Sequence, residues 1–151
     1  MAREVGAPLA VEGRDFRLEA TPGRPGLTFT GRRGPVDGLE LGLKGAHQLQ
    51  NAAVALACLE LAVGKYTPPA PEVLREGLRA TRWPGRLEEV AQGPTVLLDG
   101  AHNPQGAAAL LAELDGPYAK RPVHLVFGVL ADKSWLPMVR TLFPRCASVH
   151  L

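Results

Sequence analysis

The sequence predicts an α/β protein in two parts, and three observations carry that expectation. Over the first forty-odd residues, short runs alternating apolar and polar side chains are separated by Gly- and Pro-rich turns, the pattern of an antiparallel β-meander with one wet face. After Trp83-Pro84-Gly85 the rhythm becomes strand, helix, strand, helix, strand, which argues for a parallel sheet with helices on its faces. Between residues 95 and 106 an apolar run ends at an acid and passes through a polar turn into a helix. Open α/β sheets place their ligands at strand ends of this kind.

The elements follow in chain order. Phe16–Ala20, Leu27–Thr30 and Leu39–Leu43 are the three expected meander strands, bounded by Pro22-Gly23 and by Gly31-Arg32-Arg33-Gly34. A helix is expected after Gly45, with Ala52, Ala53, Leu56, Leu59 and Ala62 or Val63 as its apolar face and its end near Gly64. Residues 66–71 are a Pro-rich connector. Pro71 to Arg79 forms a second helix that begins at a proline. The break at Trp83-Pro84-Gly85 separates a domain over residues 1–82 from a second over 83–151. In the second, Val96–Leu98, Val123–Phe127 and Ala147–Leu151 are the strands, and Pro104–Leu114 and Ser134–Phe143 the helices. The final strand leaves this domain unfinished, so the chain reads as cut from something longer.

Composition excludes several classes. A formal net charge of +2, with scattered basic residues, gives no footprint for nucleic acid or a membrane surface. No apolar run approaches a membrane span, and residues 1–6 lack a signal-peptide core, so a cytoplasmic protein is expected. Cys58 and Cys146 lie in apolar surroundings without metal or redox spacing and read as buried thiols. Asparagine occurs only at Asn51 and Asn103, and both fall inside motifs.

The candidate site residues each have a plainer reading beside the functional one. His47 and Asn51 are four apart on one face of a helix start. An Asn amide can read an adenine edge, but on spacing alone a solvent-facing His and a locally bonded Asn are favoured. Arg86 directly follows a stiff turn, a placement that suits a phosphate; the plain reading pairs it with Glu88 or Glu89. Asp99 ends the apolar strand and can accept from ribose hydroxyls, with His102 as a further donor or stacking surface. Here the functional reading leads a turn-forming acid, because strand, turn and helix cap (Asn103, then Pro104) all agree. Lys133, beside Asp132 and before Ser134 as expected N-cap, is a lesser candidate for phosphate or substrate. His124 and His150 lie in strand patterns and read as structural. No Gly-x-x-x-x-Gly-Lys-Ser/Thr loop and no metal-spaced cluster of His, Cys and acids is present.

Four motifs in this order resemble the folylpolyglutamate synthase / dihydrofolate synthase family of the Mur ligase superfamily. They are Gly45 to Ala53 (Gly-Ala-His-Gln-Leu-Gln-Asn-Ala-Ala), Pro84 to Glu88 (Pro-Gly-Arg-Leu-Glu), Asp99 to Pro104 (Asp-Gly-Ala-His-Asn-Pro) and Phe127 to Lys133. The resemblance implies the end of a Mur-ligase central domain, followed by a truncated Rossmann-like glutamate ligase domain. It implies ATP-dependent joining of L-glutamate to a folate or dihydropteroate carboxylate through an acyl phosphate. Asn51 would contact adenine, Arg86 the phosphates and Asp99 the ribose, with His102 a further nucleotide contact and His47 and Lys133 possible ones. No catalytic residue and no metal ligand is expected within the segment. The phosphate loop and the Mg²⁺ ligands would lie upstream of Met1, and Ser134 departs from relatives that carry a second acid there. The expected partners are ATP, a folate or dihydropteroate, and L-glutamate, with a monomeric parent and an isolated segment that self-associates. Another Mur-type amino-acid ligase, or a stand-alone nucleotide-binding or interaction module, are the competing readings. Gln48 after His47 and Gly100 after Asp99 lean toward the folate branch.

Overall fold

A computed structural model of the chain describes residues 4–62, 67 and 69–151. It is a mixed α/β structure that divides into two compact units, residues 1–43 with 47–82, and residues 44–46 with 83–151.

In the first unit β1 (Arg17–Ala20), β2 (Leu27–Gly31) and β3 (Gly34–Leu39) form an antiparallel meander in the order β1-β2-β3. The alternation in β1 sends Leu18 inward, opposite Phe29 of β2, while Arg17 and Glu19 meet in an exposed ion pair. The third strand is not the expected 39–43 run. It starts at Gly34 because Arg32-Arg33 makes a two-residue turn that pairs Gly31 with Gly34, and register then runs back along β2. Gly42, inside the expected strand, instead donates its amide to the Leu78 carbonyl.

Helix α1 (His47–Leu61) packs Ala52, Ala53, Leu56 and Ala57 on the meander, where Phe16, Leu18, Phe29 and Leu39 complete the core. The buried stripe differs from the expected one. Leu59 is exposed, while Ala57 and Gln48 are buried. The expected helix end at Val63 or Gly64, and Tyr66 and Pro68 of the connector, lie outside the described residues. Near its own end α1 supplies Glu60, whose carboxylate accepts the Arg32 and Arg33 amides at 2.9 and 3.1 Å and fastens the hairpin turn. Helix α2 (Pro71–Ala80) starts at its proline and lays Leu74 and Leu78 against the same core.

The second unit contains a strand not anticipated from the sequence. β4 (Glu88–Gln92) pairs antiparallel with β5 (Thr95–Leu98), and β6 (His124–Val126) pairs parallel with β7 (Ser148–His150). The expected single three-stranded parallel sheet is therefore absent among the described residues. β5 finds its ladder partner across the short Gly93-Pro94 connection instead of in β6. Helices α3 (Pro104–Asp115) and α4 (Trp135–Leu142) pack through buried Ala107, Met138 and Leu142. Phe127 meets Phe143 edge to face at 5.6 Å beside them.

Two expectations about side chains are also corrected here. Ser134 stands at the N-cap position of α4, but its side chain makes no capping bond at ψ 66°. Cys58 is exposed on the outer side of α1, while Cys146 is half-buried, its thiol pushed up by burial and donating to the Leu142 carbonyl. No helix of the described residues is long and apolar enough to cross a membrane.

Candidate functional site

Two turns of the second unit lock together. The first, Trp83–Leu87, precedes β4; the second, Asp99–Asn103, follows β5. Because β4 and β5 pair with Glu88 opposite Leu98, the residues just before one strand and just after the other are brought side by side. The Gly100 amide donates to the Gly85 carbonyl at 2.7 Å. The Asp99 carboxylate spans both turns, with Oδ2 accepting the Leu87 amide at 3.1 Å and Oδ1 accepting the Ala101 amide at 2.9 Å. Glu88 closes the first turn from below by accepting the Gly85 amide at 2.8 Å. Arg86, Asp99 and His102 are thus assembled by a strand pair that the sequence did not reveal.

The backbone of the first turn is unusual. Gly85 has φ +70°, which glycine tolerates, but Leu87 also sits in the left-handed region at φ +46°. It is the only non-glycine there among the described residues. Its side chain is 4 % exposed, so burial and the bond to Asp99 together hold it. Between these two fixed residues Arg86 is exposed, and among the described residues its guanidinium has no hydrogen bond or ion pair. The pairing with Glu88 or Glu89 does not occur, because Glu88 is spent on Gly85 and Glu89 pairs with Lys44 at 3.1 Å.

His102 is exposed, and its Nδ1 lies 2.9 Å from the Gly100 carbonyl. A carbonyl only accepts, so Nδ1 carries a hydrogen in this bond, which leaves Nε2 uncommitted. Asn103 caps α3 as expected: its Oδ1 accepts the Gly106 amide at 2.7 Å, and Pro104 takes the first helical position. Gly106 packs closely there: a Cβ would stand 3.2 Å from the Ala101 Cβ, so the turn would have to give by a few tenths of an ångström.

Lys133 belongs to the same unit but not to these turns, and its ammonium pairs with Asp132 at 2.8 Å. His124 and His150 are exposed, not enclosed in the strand pattern. Both face Ser148, at 2.8 and 3.3 Å. In the first unit, the exposed Asn51 donates to Gln48 Oε1 at 3.0 Å, and Gln48 Nε2 donates to His47 Nε2 at 3.0 Å. The locally bonded reading of Asn51 holds, yet its own carbonyl oxygen and second N–H are left over. Among the described residues no group of three or more His, Cys, Asp or Glu side chains could hold a metal ion.

Sequence reasoning missed Leu87 and Glu88. A Glu three residues after a turn glycine is a weak local signal for the latter. Nothing local announces a left-handed leucine.

Residues 85–150 match the family model of the Mur ligase glutamate ligase domain, which defines the class of the second unit. The chain belongs, within that class, to the folylpolyglutamate synthase / dihydrofolate synthase family. It is 34 % identical over 127 residues to a folylpolyglutamate synthase of Lacticaseibacillus casei, covering 83 % of this chain and 29 % of that protein. It is 34 % identical over 136 residues to the dihydrofolate synthase/folylpolyglutamate synthase of Bacillus subtilis, covering 89 % of this chain and 32 % of that one. Among solved structures, Mycobacterium tuberculosis folylpolyglutamate synthase complexed with ADP superimposes with a TM-score of 0.84 at 34 % identity, over 98 % of this chain and 33 % of that chain. The chain therefore spans about a third of the length of these relatives.

Proposed function

We propose that this chain is part of an ATP-dependent ligase that joins L-glutamate to the carboxylate of a folate or dihydropteroate through an acyl phosphate. The observation that carries the reading is the pair of interlocked turns. They expose an unpaired guanidinium inside the stretch that matches a glutamate ligase domain. A relative of the same fold is described as complexed with ADP, which supports a nucleotide as the ligand. On this reading residues 1–82 are the end of the central domain, and 83–151 begin the carboxyl-terminal one.

Within the second unit Arg86 would meet the nucleotide phosphates, with a guanidinium fit to bind two oxygens at once. Asp99 belongs to the set through the turns it ties, its two oxygens accepting the Leu87 and Ala101 amides, and His102 would join it through Nε2. In the first unit Asn51 offers its remaining carbonyl and N–H to an adenine edge, with His47 holding the far end of the Gln48 amide. ATP supplies the phosphoryl group that turns a carboxylate into an acyl phosphate. The described residues do not fit a Mg²⁺ site, and none of them is assigned to the ion.

Calorimetric titration of the chain with ADP tests the reading. Binding that weakens at least tenfold in Arg86→Ala agrees with it. No binding to the folded wild-type chain contradicts it.

A further inference from the structure

We propose that Asp99 is a positioning residue for Arg86, holding the turn that presents the guanidinium to a phosphate group. This rests on the nucleotide reading above and deepens it, because it says how an acid that carries no positive charge strengthens binding of an anion.

A negative carboxylate next to a phosphate is unfavourable by itself. Asp99 is placed so that its charge meets backbone amides of the turns, Leu87 on one oxygen and Ala101 on the other. It makes no ion pair with Arg86, so it does not neutralise the cation it helps to place. The bond to Leu87 is the informative one. Leucine in the left-handed region is strained, and such strain persists where the surroundings over-determine it. Here the determinants are the buried Leu87 side chain and the Asp99 bond on one side of Arg86. On the other side are the two bonds of Gly85, to Gly100 and to Glu88. The residue between them is left with its backbone fixed and its side chain unpaired. A cation pre-set in this way binds a phosphate with less ordering on arrival.

A ribose contact by Asp99 and a positioning role predict different ligand dependence. Adenosine carries the ribose without phosphates, pyrophosphate carries phosphates without the ribose, and ADP carries both. We expect Asp99→Asn to weaken ADP and pyrophosphate about tenfold, the scale of one charge-assisted bond, while adenosine changes by less than about twofold. In the Arg86→Ala background the same change should cost ADP little more, because both substitutions remove one interaction. Gly85→Ala keeps carboxylate and guanidinium but strains the turn at φ +70°, with no neighbour in the way of its methyl group. It should weaken pyrophosphate and spare adenosine, and it decides the matter if Asp99→Asn does not fold. Equal weakening of adenosine and ADP by Asp99→Asn, or losses that multiply in the double variant, overturns the proposal. A folded wild-type chain that binds pyrophosphate but neither nucleoside nor ADP counts against the nucleotide reading alone. Pyrophosphate binding that is absent, or indifferent to Asp99→Asn and Gly85→Ala, overturns the positioning role itself.

Discussion

The Gly100 amide and the Gly85 carbonyl meet at 2.7 Å, and this single backbone bond joins the turn before β4 to the turn after β5. Arg86, Asp99 and His102 sit on the two turns it joins, and the Asp99 carboxylate is a second tie between those turns. Predictions about stability and about binding can be separated, because some residues hold the junction's supports and others only project from it.

Asn103 is a support. Its side chain satisfies the Gly106 amide at the start of α3, and replacing an Asn cap by Ala costs about 0.5–2 kcal/mol. Asn103→Ala should lower the denaturant midpoint of the chain accordingly, with no change in the slope of the unfolding transition. An unchanged midpoint would mean the cap contributes nothing.

Arg145 ties down the other end of α3. Its guanidinium bonds Asp115 at 2.8 Å and reaches the carbonyls of Leu114, Tyr118, Ala119 and Arg121 at 3.0–3.3 Å, where the helix dipole also favours a cation. Arg145→Met should cost about 2–3 kcal/mol, the scale for bonds to a charged group. Arg145→Lys should recover only part of it, since one ammonium cannot reach both the Asp115 carboxylate that Nε meets and the carbonyls that Nη2 meets. Equal stability of the Lys variant and the wild type would contradict this role.

Asp37 in the first unit is one expected source of acid sensitivity, beside Asp15, whose carboxyl is lowered by its hydrogen bond from Arg14. Hydrogen bonds from Arg24 and Thr28, then the charges of Arg24 and Arg75, hold the Asp37 carboxyl below the usual carboxylate range. A group depressed in the folded state stabilises above its unfolded value of about 3.9, and that contribution is lost as pH falls through the lower folded value. Asp37→Asn should therefore remove stability at neutral pH and flatten the stability profile below about pH 4. Parallel profiles for variant and wild type would exclude Asp37 as a source of the acid response.

How much of this was legible depends on how local the cause is. Asn103-Pro104 and Pro71 announce their helices because caps and first-turn prolines act within a few residues. β4 was illegible because Glu88-Glu89-Val90-Ala91-Gln92 is mostly polar and is made a strand by its partner β5. β3 was misplaced because Gly34, Pro35 and Gly38 weaken a strand pattern, while Leu39 to Leu43 alternates well but bonds elsewhere. Of the site, the residue types at 86, 99 and 102 could be read directly. That Asp99 grips Leu87 twelve residues away could not, since only the β4–β5 pairing brings them together.

Self-association is a further expectation, now with named surfaces. Val126 is 83 % exposed, and Val96, Leu98, Trp135 and Leu136 of the same unit are 39–48 % exposed. Apolar surface of this kind tends to pair with another copy. Sedimentation at tens of micromolar should show dimers or larger species, and Val126→Lys should shift them toward monomer. A wild-type monomer over that range would contradict the expectation.

Catalytic output, and the part of Arg86 in it, is the central claim of the proposed function. The most direct test uses the complete protein that carries this segment. ATP-dependent incorporation of labelled L-glutamate into dihydropteroate or a folate is compared between the parent and its Arg86→Ala variant. Loss of a charge-assisted phosphate contact, roughly 1.5–3 kcal/mol, should lower kcat/KM about ten- to a hundredfold in a variant that remains folded. Undiminished glutamate incorporation by Arg86→Ala, or no incorporation by the parent, would contradict the proposed function.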